Sequence, residues 1–185
     1  MEGPNKPEAK PISLDIESTA VVVLDLSTRC HDPKECCSKL LEPIGEFLER
    51  VRTFGVPIIF TVSASAKGTS LAEVAPALKR RASEPVIYPD AFDKFTGGEL
   101  HALLTKARAK SLVVVGSSTN IAVLYTCSTG ARLYNYKIVL PLDGINTRTQ
   151  YEHEYALHQF TVLPHDANKQ FHFTNLSMVT FQTGA

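Results

Sequence analysis

The chain has 185 residues, and its 19 Lys and Arg balance its 19 Asp and Glu, so the formal net charge is zero. This length predicts a single domain that buries a core without needing a disulfide or a metal. A neutral chain lacks the concentrated basic charge that nucleic-acid binding requires, and no apolar run is long enough to span a membrane. We therefore expect neither a nucleic acid nor a membrane as a partner.

The predicted elements begin after a polar, Pro-rich stretch, which predicts a flexible tail over residues 1–15 and a single domain over 16–185. The lack of an apolar leader segment favours a cytoplasmic location. Apolar runs predict strands at 19–25, 56–62, 86–88, 111–116, 137–142 and 171–174. Helical spacing of apolar residues predicts helices near 40–54, 98–110, 119–134 and 150–160, with a loop at 63–84 that holds a short helix near 71–78.

The order of these elements predicts the fold class. The strands are apolar throughout instead of alternating, as in sheets that are covered on both faces. Strands and helices follow each other almost strictly, which predicts a doubly wound, three-layer α/β/α domain with a mostly parallel sheet of about six strands. Ligands of such folds bind beyond the carboxyl ends of the strands.

Two strand ends carry candidate functional residues. Asp25 ends the first predicted strand, where burial would raise the pKa of its carboxyl and suit it to proton transfer, although a turn cap is an equally good interpretation. Residues 116–120 (GSSTN) join the strongest strand to a helix. Small residues there allow backbone N–H groups to converge on an anion, but an ordinary capped turn also fits.

Several segments taken together resemble the isochorismatase-like cysteine hydrolases, from about Thr19 to Thr174. They are VVVLDLS, VPIIFTV, DAFDKFTGGEL, LVVVGSSTNIAV, KIVLPLDGI and HEYALHQF. The most specific parts are the V-V-G-x-x-T-N-I-x-V turn and the A-F-x-x-x-T-x-x-x-L segment. In that family a Cys attacks an amide or similar carbonyl, an Asp transfers protons and a Lys stabilises the charged pair.

The resemblance implies a degenerate catalytic triad. Asp25 matches the family's Asp, whereas Ala122 stands at the position of the nucleophilic Cys. Gapless matching to the A-F pair at 91–92 puts Val86 at the Lys position. Lys79 and Lys94 are the nearest lysines, and Lys94 is the candidate that could fold back into the site, although most lysines are simply solvated.

The resemblance also implies a backbone oxyanion site. The N–H groups of Ser118 and Ala122 would supply its donors, and a non-proline cis peptide is expected between Ser117 and Ser118. The residues expected to line the pocket are Tyr88, Phe92 and Thr119. The zinc-containing nicotinamidases of this family use an Asp and two His after the second strand, but no His occurs here between His31 and His101, so we expect no metal and no cofactor.

The four cysteines are interpreted as free thiols in a reducing compartment. Cys127 follows Ala122 by five residues, which turns it roughly 140° away on the same predicted helix, so we expect it in the core. Cys30 and His31 follow Asp25 closely and could line the mouth of the pocket, but a mobile loop is the favoured interpretation. Asp143 ends a strand and is expected to cap the turn that follows.

Three functions stay open at this point. The first is a hydrolase of a small amide whose Cys was changed to Ala by engineering. The second is natural loss of catalysis, which would leave a protein that binds a small molecule or a protein partner. The third is altered chemistry with Asp25 as general acid, because isochorismatases that cleave a vinyl ether can lack the Cys but keep the Lys. The resemblance also implies a homo-oligomer, either a dimer or a tetramer.

Overall fold

A computed structural model describes residues 6–184, and a parallel β-sheet forms its centre. In chain order the strands are β1 (Ile12–Asp15), β2 (Thr19–Leu24), β3 (Ile58–Thr61), β4 (Val86–Ile87), β5 (Ser111–Ser117), β6 (Lys137–Pro141), β7 (Ile145–Asn146), β8 (Phe171–Thr174) and β9 (Val179–Gln182). The helices are α1 (Leu41–Thr53), α2 (Glu99–Lys106), α3 (Leu124–Tyr134) and α4 (Gln150–Val162).

Seven strands make up the main sheet. Its order is β4-β3-β2-β5-β6-β8, and the short β7 pairs with the end of β5. Every pairing in this sheet is parallel. All six residues of β2 are buried, as expected for a central strand covered on both faces. The doubly wound α/β prediction is confirmed, and the six predicted strands correspond to the six in the main path.

Two apolar clusters cover the two faces of the sheet. One face packs against α1 through Ile44, Phe47, Leu48 and Val51, which recur at helical spacing. The other face packs against α2, α3 and α4, with Leu104, Cys127 and Phe160 fully buried among them. Within residues 6–184, no helix is long and apolar enough to cross a membrane.

The predicted tail boundary is wrong, because β1 lies inside the stretch assigned to the tail. β1 pairs in parallel with β9, a strand that the sequence did not predict, and Ile12 and Leu14 are buried in the core. Both strands are only four residues long, so neither carries enough apolar periodicity to be recognised alone. Residues 1–5, the start of the predicted tail, lie outside the described residues.

The loop at 63–84 contains isolated helical turns in place of the single helix predicted near 71–78. Residues 70–72 and 76–78 each form one turn, and Glu73 lies between them in extended conformation. The second turn begins at Pro76, whose fixed φ suits the first turn of a helix. Pro76 also restricts Ala75 to extended backbone, which prevents one continuous helix.

Candidate active site

The candidate site lies at the carboxyl ends of β2 and β5, which are neighbours in the sheet. Their register pairs Leu24 with Gly116, so Asp25 and Ser117 emerge side by side. A Cβ on Gly116 would lie 2.2 Å from the carbonyl oxygen of Leu24, and the φ of Gly116 is 128°. Only glycine fits this position, and the close approach of the two backbones brings their ends together.

Asp25 forms a buried ion pair with Lys94. The distance from Lys94 Nζ to Asp25 Oδ2 is 2.8 Å, with the Lys94 side chain 2% exposed and that of Asp25 20% exposed. The Thr61 hydroxyl donates to the other carboxylate oxygen at 3.4 Å. Asp25 itself has a φ of 55°, which is uncommon outside glycine and is found where surrounding contacts hold the backbone. These contacts hold the Asp25 carboxylate in place, with the Lys94 ammonium as its paired cation.

Lys94 reaches Asp25 from the loop between β4 and α2, and α3 holds that loop in place. The Lys94 N–H donates to the hydroxyl of Thr126 at 3.0 Å. The neighbouring Asp93 carboxylate accepts from the hydroxyl of Thr129 at 2.6 Å and from the N–H of Phe95 at 2.9 Å. Lys94 Nζ has one further acceptor, the Ala91 carbonyl, at 3.4 Å.

Val86, which gapless matching assigned to the Lys position, lies in a strand that β3 separates from β2 and Asp25. Val86 lies in the edge strand β4, pairs with Phe60 and packs against the α1 face of the core. Lys79, the other candidate lysine, is exposed and ends a one-turn helix in left-handed conformation. The gapless match placed the Lys before Phe92, whereas the lysine that reaches Asp25 comes two residues after it. Of the two lysines that the sequence offered as replacements, Lys94 is therefore the one that pairs with Asp25.

Burial raises the pKa of the Asp25 carboxyl, and this effect exceeds the opposing attraction of the Lys94 ammonium. The hydrogen bonds from Lys94 and Thr61 and the charge of Arg29 also act to lower the pKa, each more weakly than burial raises it. A carboxyl that holds its proton more tightly than usual is suited to act as a general acid.

The turn after β5 has the backbone that the resemblance implies, with a cis peptide between Ser117 and Ser118. The N–H groups of Ile121 and Val123 both donate to the Ser118 carbonyl at 3.1 Å, so a wide π-type turn leads into α3. Ala122 lies within this turn, is 3% exposed and packs in the α2–α4 face of the core. The position that the resemblance assigns to the family's nucleophile therefore holds only a methyl group.

The three residues expected to line the pocket have other contacts. Thr119 is fully buried, and its hydroxyl lies 3.0 Å from Nδ1 of His153 on α4. The Tyr88 hydroxyl donates to the Ala72 carbonyl at 3.2 Å. Phe92 is 66% exposed and stacks on Tyr125, so it lies at the rim instead of forming a wall.

The interpretation of all cysteines as free thiols is wrong for two of them. Cys30 and Cys37 form a disulfide, while Cys36 and Cys127 are free. Cys127 is fully buried, as predicted. The disulfide depends on a chain reversal between two short helical turns, which the spacing of the cysteines does not reveal. Cys30 is buried, whereas His31 next to it is exposed.

Two other side-chain predictions concern metals and Asp143. In residues 6–184, no three His, Cys, Asp or Glu side chains converge into a group that could hold a metal ion. Asp143 accepts from the N–H of Leu176 at 2.7 Å. Its role is therefore structural, although it holds a distant turn and not the next one.

Comparison with known proteins places the chain in a family. The isochorismatase domain matches residues 19–168. An uncharacterized isochorismatase family protein of Bacillus subtilis, YaaI, is 34% identical over 58 residues, which span 31% of this chain and 32% of that protein. The chain thus matches only about a third of the length of this relative.

Solved structures share the fold at low sequence identity. An isochorismatase family protein from Burkholderia thailandensis has a TM-score of 0.76 and 20% identity, over 92% of this chain and 97% of that one. An N-carbamoylsarcosine amidase from Thermoplasma acidophilum has a TM-score of 0.72 and 19% identity, over 86% of this chain and 96% of that one. A cysteine hydrolase from Pseudomonas syringae pv. phaseolicola has a TM-score of 0.76 and 17% identity, over 96% of this chain and 95% of that one. With its isochorismatase domain and this shared α/β fold, the chain belongs to the isochorismatase-like hydrolase family.

Proposed function

We propose that this chain is a hydrolase that cleaves a vinyl ether in a small molecule, with Asp25 as general acid and without a covalent intermediate. The carrying observation is the buried Asp25–Lys94 ion pair beside a turn in which Ala122 offers no nucleophile. The resemblance implies that vinyl-ether-cleaving members can lack the Cys but keep the Lys. Lys94 meets that requirement, which Val86 would not have met.

The reaction needs one proton donor and one water molecule. Protonated Asp25 gives its proton to the terminal carbon of the vinyl ether, which produces an oxocarbenium ion. Lys94 stabilises the carboxylate that is left, because its ammonium lies 2.8 Å from Asp25 Oδ2. Water then adds to the cationic carbon and returns a proton to Asp25. The resulting hemiketal collapses to an alcohol and a ketone, so the net reaction consumes one water and leaves the protein unchanged.

Hydrolysis of a small amide is less well supported by this geometry. An amide carbonyl needs a strong nucleophile, and a thiolate on the first turn after β5 would provide it. The Ala122 methyl group cannot attack a carbonyl. The family's amide chemistry would therefore require a second thiol to take over, or a Cys at this position in the natural coding sequence.

The alternative proposal is a non-catalytic protein that binds a small molecule or a protein partner. It is favoured by the same Ala122, whose methyl group is packed into the apolar core and leaves the oxyanion turn without a reacting group. Both proposals place the ligand against Asp25 and Ser117. They differ in whether bonds of the ligand are broken.

Incubation with isochorismate tests the proposed activity, with pyruvate measured by a coupled reduction. We expect the wild type to release pyruvate, and Asp25→Asn to reduce the rate by about 10²- to 10⁴-fold, the usual contribution of a general acid. Lys94→Met should also lower the rate, since the carboxylate that forms would lose its partner.

The matched control is an exposed Asp–Lys ion pair elsewhere in the chain. Asp166 and Lys169 lie 2.9 Å apart with side chains 76% and 72% exposed, so Asp166→Asn and Lys169→Met should leave the rate unchanged. Failure of the wild type to release pyruvate above the background rate would refute the proposed activity. Calorimetric binding of isochorismate without turnover would then support the non-catalytic alternative.

We also keep self-association into a dimer or tetramer, and a cytoplasmic location, as proposals. Exposed aromatic side chains on α3 and α4, among them Tyr125 and Tyr151, are compatible with contact to a second copy. Light scattering of the purified full chain measures the mass directly. A monomer at all concentrations up to the millimolar range would contradict the self-association.

A further inference from the structure

The segment that contains three of the four cysteines lies directly on the candidate site. Cys30 and Cys37 are joined by a disulfide across seven residues, and both are completely buried. Cys36, between them in sequence and next to Cys37, is a free and half-buried thiol. One disulfide and one free thiol are therefore gathered in one short segment.

This segment contacts both strand ends that form the site. Sγ of Cys30 lies 3.9 Å from the carbonyl oxygen of Asp25, and Sγ of Cys36 lies 3.7 Å from Oγ of Ser117. The Asn146 side chain on β7 donates to the Cys36 carbonyl at 2.7 Å. The position of the segment is thus linked to the general acid on one side and to the oxyanion turn on the other.

Little besides the disulfide ties the segment to itself. Residues 28–31 and 36–40 form short helical turns, and residues 32–34 between them are exposed. The internal contacts are turn hydrogen bonds, such as that from the Glu35 N–H to the Asp32 carbonyl, and an ion pair between Arg29 and Glu35 that is partly exposed. Isolated turns of this kind open easily because no ladder of hydrogen bonds supports them.

We propose that the Cys30–Cys37 disulfide is a redox-sensitive clamp, which when oxidised holds residues 29–37 against Asp25 and Ser117 and when reduced releases them. Arg29 lies in the clamped segment, and its charge is among the weaker influences that lower the pKa of Asp25. Release would therefore change both the position and the electrostatic surroundings of the general acid. The effect on catalysis rests on the proposed function, whereas the clamp itself does not.

The redox step is a two-electron reduction by a dithiol, such as the active site of a thioredoxin-type protein or dithiothreitol. The bond between Sγ of Cys30 and Sγ of Cys37 breaks, and two S–H bonds form on these sulfurs. The dithiol supplies both electrons and both protons and is oxidised to its own disulfide. Because both sulfurs are buried, the dithiol acts on a locally opened form, which the exposed stretch at 32–34 permits. Disulfides in a reducing compartment are usually transient or redox-sensing, which fits this role.

Amide hydrogen exchange of the full-length protein tests the clamp. The wild type is compared before and after treatment with dithiothreitol, and alkylation with mass spectrometry reports which cysteines are free. When alkylation is carried out in denaturant, oxidised protein should be modified at Cys36 and Cys127, and reduced protein also at Cys30 and Cys37. We expect exchange over residues 25–40 to become at least about tenfold faster on reduction, as for other local opening reactions.

Two variants and one activity assay complete the test. Cys30→Ser with Cys37→Ser should exchange quickly with or without the dithiol, whereas Cys127→Ala, which changes a buried cysteine outside the segment, should respond as the wild type does. If the double variant does not fold, the reduced wild type still decides the outcome.

Alkylation that finds Cys30 and Cys37 free before reduction overturns the clamp, and so does unchanged exchange after verified reduction. Pyruvate release is measured in both redox states, and we expect about a tenfold lower rate in the reduced protein, if loss of positioning has its usual cost. No pyruvate in either state counts against the proposed function alone, because the exchange data still judge the clamp.

Discussion

Two buried ion pairs lie at opposite ends of the sheet, and they differ in how completely their hydrogen bonds are satisfied. Arg52 lies in the last turn of α1, near the amino ends of the strands, and Glu84 precedes β4. Nε and Nη2 of Arg52 bind the two oxygens of Glu84 at 2.7 and 2.9 Å. Further bonds join Arg52 to Glu49 and Leu78 and join Glu84 to the N–H of Arg81.

The Asp25–Lys94 pair at the carboxyl edge has far fewer partners. Lys94 Nζ binds one carboxylate oxygen and one weakly placed carbonyl, and Asp25 receives one further bond from Thr61. The electrostatic consequences are opposite as well. Glu84 raises the pKa of the Arg52 guanidinium and so stabilises its charge, whereas burial raises the pKa of Asp25 and so destabilises its charge. The Arg52–Glu84 pair, whose hydrogen bonds are satisfied (the saturated pair), supports the fold. The Asp25–Lys94 pair, which has few hydrogen-bond partners (the unsaturated pair), keeps a proton available for chemistry.

The largest expected effect is on the saturated pair. Glu84→Gln leaves the buried Arg52 charge with only the exposed Glu49 carboxylate as its partner, which should lower the free energy of unfolding by about 3–5 kcal/mol. Urea denaturation followed by circular dichroism measures this change. Glu49→Gln removes the other, 45% exposed carboxylate partner of Arg52 and should cost no more than about 1 kcal/mol. Equal losses in the two variants would contradict the distinction between the pairs.

A smaller effect, of opposite sign, is expected for the unsaturated pair. Asp25→Asn combined with Lys94→Met removes both charges without leaving either unpaired. Because neither charge is left unpaired, we expect the free energy of unfolding to stay equal or to rise by at most about 1 kcal/mol, the low end of the gain found when buried ion pairs are replaced by hydrophobic residues, since Asn is still polar. The same urea titration measures it, and pyruvate release should be absent. A clear loss of stability would show that this pair also supports the fold.

The smallest expected effect is a difference in how stability depends on pH. Folding raises the pKa of Asp25, so the native state binds more protons than the unfolded state. The stability that protonated Asp25 contributes is complete at pH values below its unfolded pKa near 3.8. It is lost as pH rises through the higher folded pKa. The slope of stability against pH should therefore become less negative in Asp25→Asn over this window.

Asp15 provides a control of opposite sign for this experiment. Hydrogen bonds from Ser18 and Glu17 lower the pKa of Asp15. The stability that the Asp15 carboxylate contributes is therefore present above about pH 3.8 and is lost as pH falls through the folded pKa. Asp15→Asn should make the slope of stability against pH more negative in the acid range. Chemical denaturation at a series of pH values from 3 to 8 measures both variants, and slopes that change in the same direction would contradict the assignment.

The sequence by itself determined the features that depend on local pattern. Uninterrupted apolar runs predicted the strands of the main sheet, and helical spacing predicted all four long helices, because burial imposes these periods on any chain. The same patterns placed Asp25 and the turn at 116–120 at strand ends, where ligands of this fold bind. The resemblance located the nucleophile position at Ala122 from the residues immediately around it.

Only the tertiary structure decided which distant residues meet. Lys94 reaches Asp25 because hydrogen bonds from α3 hold its loop, and no local pattern distinguishes it from a solvated lysine. The Cys30–Cys37 disulfide and the pairing of β1 with β9 likewise depend on how the chain folds back. Periodicity reports whether a residue is buried, whereas the partner of a buried charge or thiol is set by packing between segments that are far apart in sequence.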